Sequence, residues 1–199
     1  MEPALAVALL WLVFGGPREG GDTVPTVFQQ RNVPEAIRSL STLASPDYVD
    51  LFTVTTSEAV CASPEQWARA AVEAAGLGGQ FVWRVLCGLR LERRPSPDSI
   101  GGWKIADRGD SWIRLEAASW FMTAQLVLMV DDGHLSVATF IRYDRPIAAL
   151  VWPPLSAGHR SLMPGLLRGT VRVMRIIVNR GTEAAELRRR AASVSDRAS

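Results

Sequence analysis

Lysine is almost missing from this chain: Lys104 is the single example, and the basic side of a formal net charge of +2 is otherwise arginine. A net charge that small provides no field to gather nucleic acid. The arginine bias reads as a mark of GC-rich, bacterial coding. Histidine is scarce as well, and His134 and His159 lie too far apart to share one metal-binding motif. Cys61 and Cys87 are the only cysteines, which leaves no zinc spacing and no disulfide that can be inferred. They read as small buried or half-buried thiols in a reducing compartment. Neither a glycine-rich phosphate loop nor a Gly-x-Ser-x-Gly turn occurs, which removes the common nucleotide-binding and hydrolase signatures.

A long apolar run is missing too. Ala4 to Phe14 is unbroken but short of the roughly 20 residues that a spanning helix needs. Glu2 is the one charge before it, where a secretory signal would carry basic residues. The segment reads first as an upstream extension or mis-chosen start, next as a weak signal or anchor, and last as a docked helix. Gly15 to Thr26 follows as a linker of glycine, proline and charge. The expected organisation is an extension and linker over 1–24, a folded domain over 25–180, and a polar, arginine-rich, disordered tail over 181–199. The expected location is cytoplasmic, with membrane association through Ala4 to Phe14 the less favoured reading.

What is present is a body 48% hydrophobic and 21% charged, as a globular domain should be. Its clearest element runs from Trp120 to Tyr143. Trp120, Met122, Ala124, Leu126, Leu128 and Val130 fall on even positions; Leu135, Val137, Thr139, Ile141 and Tyr143 fall on odd ones. Between them, Asp132-Gly133 suits a two-residue hairpin turn. That turn pairs Val130 with Leu135, Leu128 with Val137, Leu126 with Thr139 and Ala124 with Ile141, so both apolar sets share one face.

Further strands are expected over Asp47–Thr55, Gly102–Asp107 and Ser111–Ala117. In the first, Tyr48, Asp50, Phe52 and Val54 fall on one side. A Tyr48–Asp50 hydrogen bond is conceivable there, with a cap or turn contact the safer reading. Ser63-Pro64-Glu65-Gln66 is a capped helix start, and Gly76 a natural stop. A second amphipathic stretch is expected from Gln80 to Leu91, and a short helix after Pro34. Pro153-Pro154 should interrupt the chain before a long helix from Gly158 to Val178, with Arg168, Arg172 and Arg175 on one face. That face reads as the solvated side of a packed helix in preference to a membrane-binding stripe.

Several segments together resemble an uncharacterised bacterial family of the helix-grip (SRPBCC) superfamily, which includes START lipid-transfer domains, plant pollen-allergen-like proteins and polyketide cyclases. They are Asp47-Tyr48-x-Asp50-x-Phe52, Pro64-Glu65-x-Trp67, Leu86 through Leu91, Gly102-Trp103, and His159-Arg160-x-x-x-Pro164-x-Leu166-Leu167, spanning about Val24 to Thr170. Their order and spacing carry the match. The resemblance implies an α+β fold in which a curved antiparallel sheet wraps a long C-terminal helix, with two or three short helices and a cavity between sheet and helix. It implies a ligand that is a lipid or other hydrophobic small molecule. It carries over no catalytic residue, metal or cofactor.

The leading expectation is therefore a non-catalytic binding module. Its expected wall comprises Trp103, Ile113, Leu115, Trp120, Met122, Leu126, Leu128, Thr139, Ile141 and Tyr143, with His159 as a further contact. Thr139 and Tyr143 would orient the ligand through their hydroxyls. A cyclase or dehydratase of the same superfamily is the alternative. It requires a proton-transferring group on that wall, and the strands of clear register offer none. A carboxylate or imidazole directed into the enclosed space would favour the enzyme. No nucleic acid is expected as a partner, and the oligomeric state is not legible.

Overall fold

In the computed structural model, which describes residues 25–30 and 32–196, the chain is α+β with a helix-grip arrangement. Seven strands form one curved antiparallel sheet: β1 Val27–Gln30, β2 Tyr48–Thr55, β3 Ser99–Ile100, β4 Trp103–Arg108, β5 Trp112–Ala118, β6 Met122–Asp131 and β7 His134–Tyr143. Their spatial order is β1-β2-β7-β6-β5-β4-β3, so β2, early in the chain, lies beside β7 at its end. Among the described residues the α-helices are α1 Glu35–Arg38, α2 Pro64–Phe81 and α3 Ala148–Asp196.

The β6–β7 hairpin has the register that its alternation demands: Val130 faces Leu135, Leu128 faces Val137, Leu126 faces Thr139 and Ala124 faces Ile141. Asp132 and Gly133 both take positive φ, 30° and 83°, as a turn matched to strand twist requires. Helix α2 begins at a complete capping box. The Ser63 side chain accepts from Gln66 N, and Gln66 Oε1 accepts from Ser63 N. Gly76 does break the helix, with φ 55° and ψ −156°. The chain then re-enters helical geometry and ends in a π turn over Val82–Leu86. The expected second amphipathic stretch is thus a kinked continuation of α2, stopping short of Leu91.

Both faces of the sheet are covered. On the inner face, Phe52, Val54, Leu115, Met122, Leu128 and Ile141 pack with Trp67 of α2 and Leu167, Val171 and Met174 of α3. On the outer face, Leu51, Val127, Ala138 and Phe140 are capped by Ile37 and Leu43 from the segment around α1. Gln125 pins that segment down. Fully buried, it accepts from Ser41 Oγ and Thr42 N and donates to Thr42 Oγ1 and Glu116 Oε2. A buried amide with all its groups paired specifies where a loop sits.

Three expectations are corrected. Trp120 does not point inward: it is 57% exposed, because Ser119–Phe121 forms the turn between β5 and β6 and Phe121 is the ring that turns in. Ser119 Oγ closes this turn by accepting from Phe121 N and Met122 N, which does the work a Gly or Asn would otherwise do. Pro153-Pro154 does not interrupt the last helix. The carbonyls that the two prolines leave unpaired, four residues earlier, belong to Ala149 and Leu150, both exposed to water. The stretch after Gly181 is helical to Asp196; its Ala, Glu, Leu and Arg are strong helix formers and extend a helix already nucleated upstream. The expectation for Ala4 to Phe14 lies outside the described residues.

The basic face of α3 is partly paired from another element. Glu58, in the 3-10 turn Ser57–Cys61, holds Arg175 Nε at 2.8 Å and accepts from the Thr56 hydroxyl. Partial burial works against its ionisation, but these hydrogen bonds outweigh it and hold the carboxyl at about 2, below its ordinary 4.5. A carboxyl lowered on folding stabilises above its unfolded value and loses that effect as pH falls through the folded one. Glu58→Gln is expected to lower unfolding free energy by about 1 kcal/mol at pH 7. In urea titrations the deficit should shrink below pH 4.5 and vanish near pH 2. Gly102 makes a second test. Its φ is 89°, and a Cβ there would stand 2.6 Å from the Glu92 carbonyl oxygen. Gly102→Ala should cost at least about 2 kcal/mol by the same measurement, from backbone strain plus a contact that no rotamer can relieve.

Candidate functional site

A cavity of about 110 Å³ lies between the inner sheet face, α2 and the N-terminal half of α3. Three kinds of residue shape it. The sheet supplies Leu115, Leu126, Leu128, Val137 and Thr139, which the hairpin register and the adjoining strand bring side by side. From α3 come Trp152, Leu155, His159, Leu162, Met163 and Leu166, spaced three and four apart and therefore on one helical face. Helix α2 contributes Ala68, Ala71, Val72 and Ala75, and the segment after it Val82, Trp83 and Cys87. Alanine forms helix readily while occupying little volume, so α2 can pack along α3 and still leave space before the sheet. Burial in this apolar wall pushes the Cys87 thiol up to about 12, so it contributes bulk and no thiolate.

Of the residues expected on the wall, Leu115, Leu126, Leu128, Thr139 and His159 do line it. The others are elsewhere. Trp103 is buried in the core, edge-on to Trp83 with ring centroids 5.6 Å apart. Ile113, Met122 and Ile141 are buried on the same face beyond the cavity. Tyr143 is half-buried at the strand end, where its backbone N–H donates to Asp47 Oδ2. Trp120 is on the surface. The alanines of α2 went unassigned, because a small residue on a helix signals propensity and not the space beside it.

The wall is also not free of proton-transferring groups. Asp50 of β2 is 3% exposed and stands opposite Thr139 of β7. Its Oδ2 accepts the Tyr48 hydroxyl at 2.6 Å and lies 3.1 Å from His159 Nε2. Thr139 Oγ1 is 3.3 Å from the same imidazole nitrogen. Outside this cluster, Arg160 Nη1 reaches the Tyr48 hydroxyl at 3.5 Å and its guanidinium sits over the ring. A chain of polar groups thus runs from the surface at Arg160, through Tyr48 and Asp50, to His159 on the cavity wall.

The electrostatics follow from this arrangement. Burial alone would raise the Asp50 carboxyl, but His159 and the Tyr48 hydrogen bond together outweigh it, so the group is held below the usual carboxylate range. Burial and the adjacent carboxylate both push the Tyr48 phenol far above its ordinary value, so it stays protonated, donating to Asp50 and accepting from Arg160. Because Asp50 accepts at His159 Nε2, a neutral imidazole carries its proton there and leaves Nδ1 as a lone pair. Tyr48 and Trp152 brace the cluster, with ring centroids 5.2 Å apart in an edge-on contact.

Breaking such a pair from one side strands the other partner. Asp50→Ala should lower stability by about 3 kcal/mol at neutral pH. The double variant Asp50→Ala/His159→Leu should cost less than the two single changes added together, by at least about 1 kcal/mol in a denaturation-based double-mutant cycle. Strict additivity would show that the two groups do not interact.

No helix among the described residues is long and apolar enough to cross a membrane, and no group of His, Cys, Asp and Glu among them could hold a metal ion. No protein-family model matches the chain, and no curated protein matches it.

Proposed function

We propose that this protein binds a hydrophobic small molecule in the cavity between its sheet and α3, as members of the helix-grip superfamily it resembles do. The observation that carries the reading is the cavity itself: a wall of Ala, Val, Leu, Met and Trp, interrupted by Thr139 and His159 at one place. Apolar burial supplies affinity in such a site, and a few polar groups fix orientation. A lipid fits less well than a compact molecule. At a water's share of about 30 Å³, a cavity of 110 Å³ has room for about four water-sized groups, too few for a sterol or a diacyl chain.

A second reading is favoured by one specific contact. Asp50, 3.1 Å behind His159 Nε2, makes an acid–base pair whose imidazole is on the wall, the feature that distinguishes a cyclase- or dehydratase-type enzyme from a passive carrier. In that reading His159 Nδ1 takes or returns a proton on the bound molecule. Asp50 holds the ring in one orientation and stabilises its charged form.

Native mass spectrometry of the protein isolated from its own host tests the proposal. A small apolar compound is expected to remain bound to the unaltered chain and to be absent from Ala71→Trp, whose indole would occupy the cavity. Retention of the same compound by that variant would place binding elsewhere. The compound recovered after incubation with fresh protein then separates the two uses: unchanged for a carrier, converted for an enzyme.

A further inference from the structure

One end of the molecule leaves several large apolar side chains open to water. Trp120, in the turn between β5 and β6, is 57% exposed; Ile147, just before α3, is 39% exposed; Leu150, in the first turn of α3, is 73% exposed. Hydrogen bonds gather them into one surface. Arg145 Nε donates to the Trp120 carbonyl oxygen at 3.0 Å, and the backbone N–H groups of Asp144 and Arg145 donate to the Phe121 carbonyl. Ile147 follows two residues later. The Leu150 N–H donates to the Ile147 carbonyl, and at a spacing of three the two side chains share one side of the helix start. The Arg145 guanidinium lies over the Trp120 ring, 5.8 Å from its centroid.

Charge decides what this surface fits. Arg145 has no carboxylate partner among the described residues, and neither has Arg90, which is held beside the turn because its N–H donates to the Ala118 carbonyl. The carboxylates nearby do not offset them. Asp144 is taken up by Arg142 and Thr123, and Asp47 accepts from the Tyr143 N–H. Glu92 is outnumbered in its own exposed loop by Arg90, Arg93 and Arg94. The partner is therefore apolar and negatively charged. The side chains stand on a turn and a helix start, so they are tips that enter another phase and not the floor of a groove. An anionic lipid surface meets these needs together. Its acyl boundary takes Leu150 and Ile147, an indole such as Trp120 suits the headgroup level, and arginines reach the phosphates.

We infer that this end of the molecule docks on an anionic membrane surface, with Trp120, Ile147 and Leu150 entering the headgroup boundary and Arg90 and Arg145 meeting lipid phosphates. The contact lies on the membrane and does not span it. Helix α3 continues from this surface into the cavity, where Trp152 and Leu155 line the wall. Docking thus sets that wall next to the phase in which apolar molecules concentrate. It does not require the cavity to be filled, so its test is separate from that of the binding function.

Flotation of the full chain with two kinds of vesicle tests this: phosphatidylcholine alone, and phosphatidylcholine with about one third phosphatidylglycerol. Binding is expected on the anionic vesicles and should be at least about fivefold weaker on the neutral ones. Raising salt from about 0.1 M to about 0.5 M should remove most of that difference. Arg145→Gln and Arg90→Gln should each weaken binding to the anionic vesicles about fivefold, the worth of one arginine near such a surface. Leu150→Glu should weaken it at least about tenfold, through lost apolar burial and added negative charge. All three positions are exposed, so the variants keep the fold, and unchanged thermal unfolding checks this. Lipids brominated in their acyl chains should quench part of the tryptophan fluorescence of the unaltered protein, and less of it in Trp120→Tyr. Absence of binding to the anionic vesicles would overturn the proposal. Binding that Leu150→Glu and Arg145→Gln leave unchanged would overturn it too, by placing the contact elsewhere on the chain. Self-association in sedimentation velocity that Leu150→Glu abolishes, without vesicle binding, would make the surface an interface between two copies instead.

Discussion

Sliding β7 by one residue along β6 would carry Thr139 to the outer face and bring Ala138 and Phe140 inward. The cavity would then lose its polar wall and gain a phenyl ring. The two-residue turn at Asp132-Gly133 prevents this, because both residues hold positive φ and no spare residue is available to take up a shift. The same register controls β2. Asp50 faces Thr139 across the β2–β7 ladder, and Tyr48 faces Ile141, so the carboxylate and its phenol partner are placed by a hairpin more than eighty residues further along the chain. Helix α3 then needs only to cross this point for His159 to complete the cluster.

Holding a carboxylate at 3% exposure inside a hydrocarbon layer is unfavourable unless its partners are well aligned. Here Oδ2 accepts from Tyr48 and His159, while Oδ1 has no partner within the protein. Half of the carboxylate is therefore compensated and half is not. A leucine or methionine of similar volume would avoid the desolvation altogether, and replacements of that kind are often neutral or stabilising. The pair is thus poorly accounted for by stability alone and well accounted for by a demand for an oriented imidazole on the wall. That orientation serves a ligand-fixing role and a proton-transferring one equally.

The parts of the fold legible in the sequence are those governed by local periodicity and turn chemistry. Alternation from Met122 to Tyr143 and the Asp132-Gly133 pair define the hairpin, and Ser63 with Gln66 defines the start of α2. Trp120 escaped because it continues the even-position alternation into a turn that Ser119 closes with its side chain, a role that leaves little trace in composition. Pro153-Pro154 looks like a break unless the exposure of Ala149 and Leu150 is known, since water satisfies the carbonyls that the prolines leave behind. The site was legible in pieces. Tyr48, Asp50, Thr139 and His159 each stand out, but three separate elements bring them together, and no spacing along the chain encodes that meeting. The alanines of α2 were the hardest to read, because what they contribute is the volume they do not fill.

That unfilled volume carries its own argument. Packing defects in protein cores cost on the order of 24 cal/mol per Å³, so 110 Å³ corresponds to roughly 2–3 kcal/mol. Set against net domain stabilities of about 5–15 kcal/mol, this is a considerable sacrifice. Larger side chains at Ala68, Ala71 or Ala75 would recover part of it without altering the capping, the register or the outer core. The cavity, the half-paired Asp50 carboxylate and the orphaned Trp152 N–H are three separate departures from the best-packed form of this fold, and all three lie at or beside one place. Other buried polar atoms without a partner lie away from it, on Trp67, Trp103 and Arg114, so it is the unfilled volume that sets this wall apart. Unfilled volume beside an oriented imidazole is the departure that the proposed recognition of a second molecule accounts for.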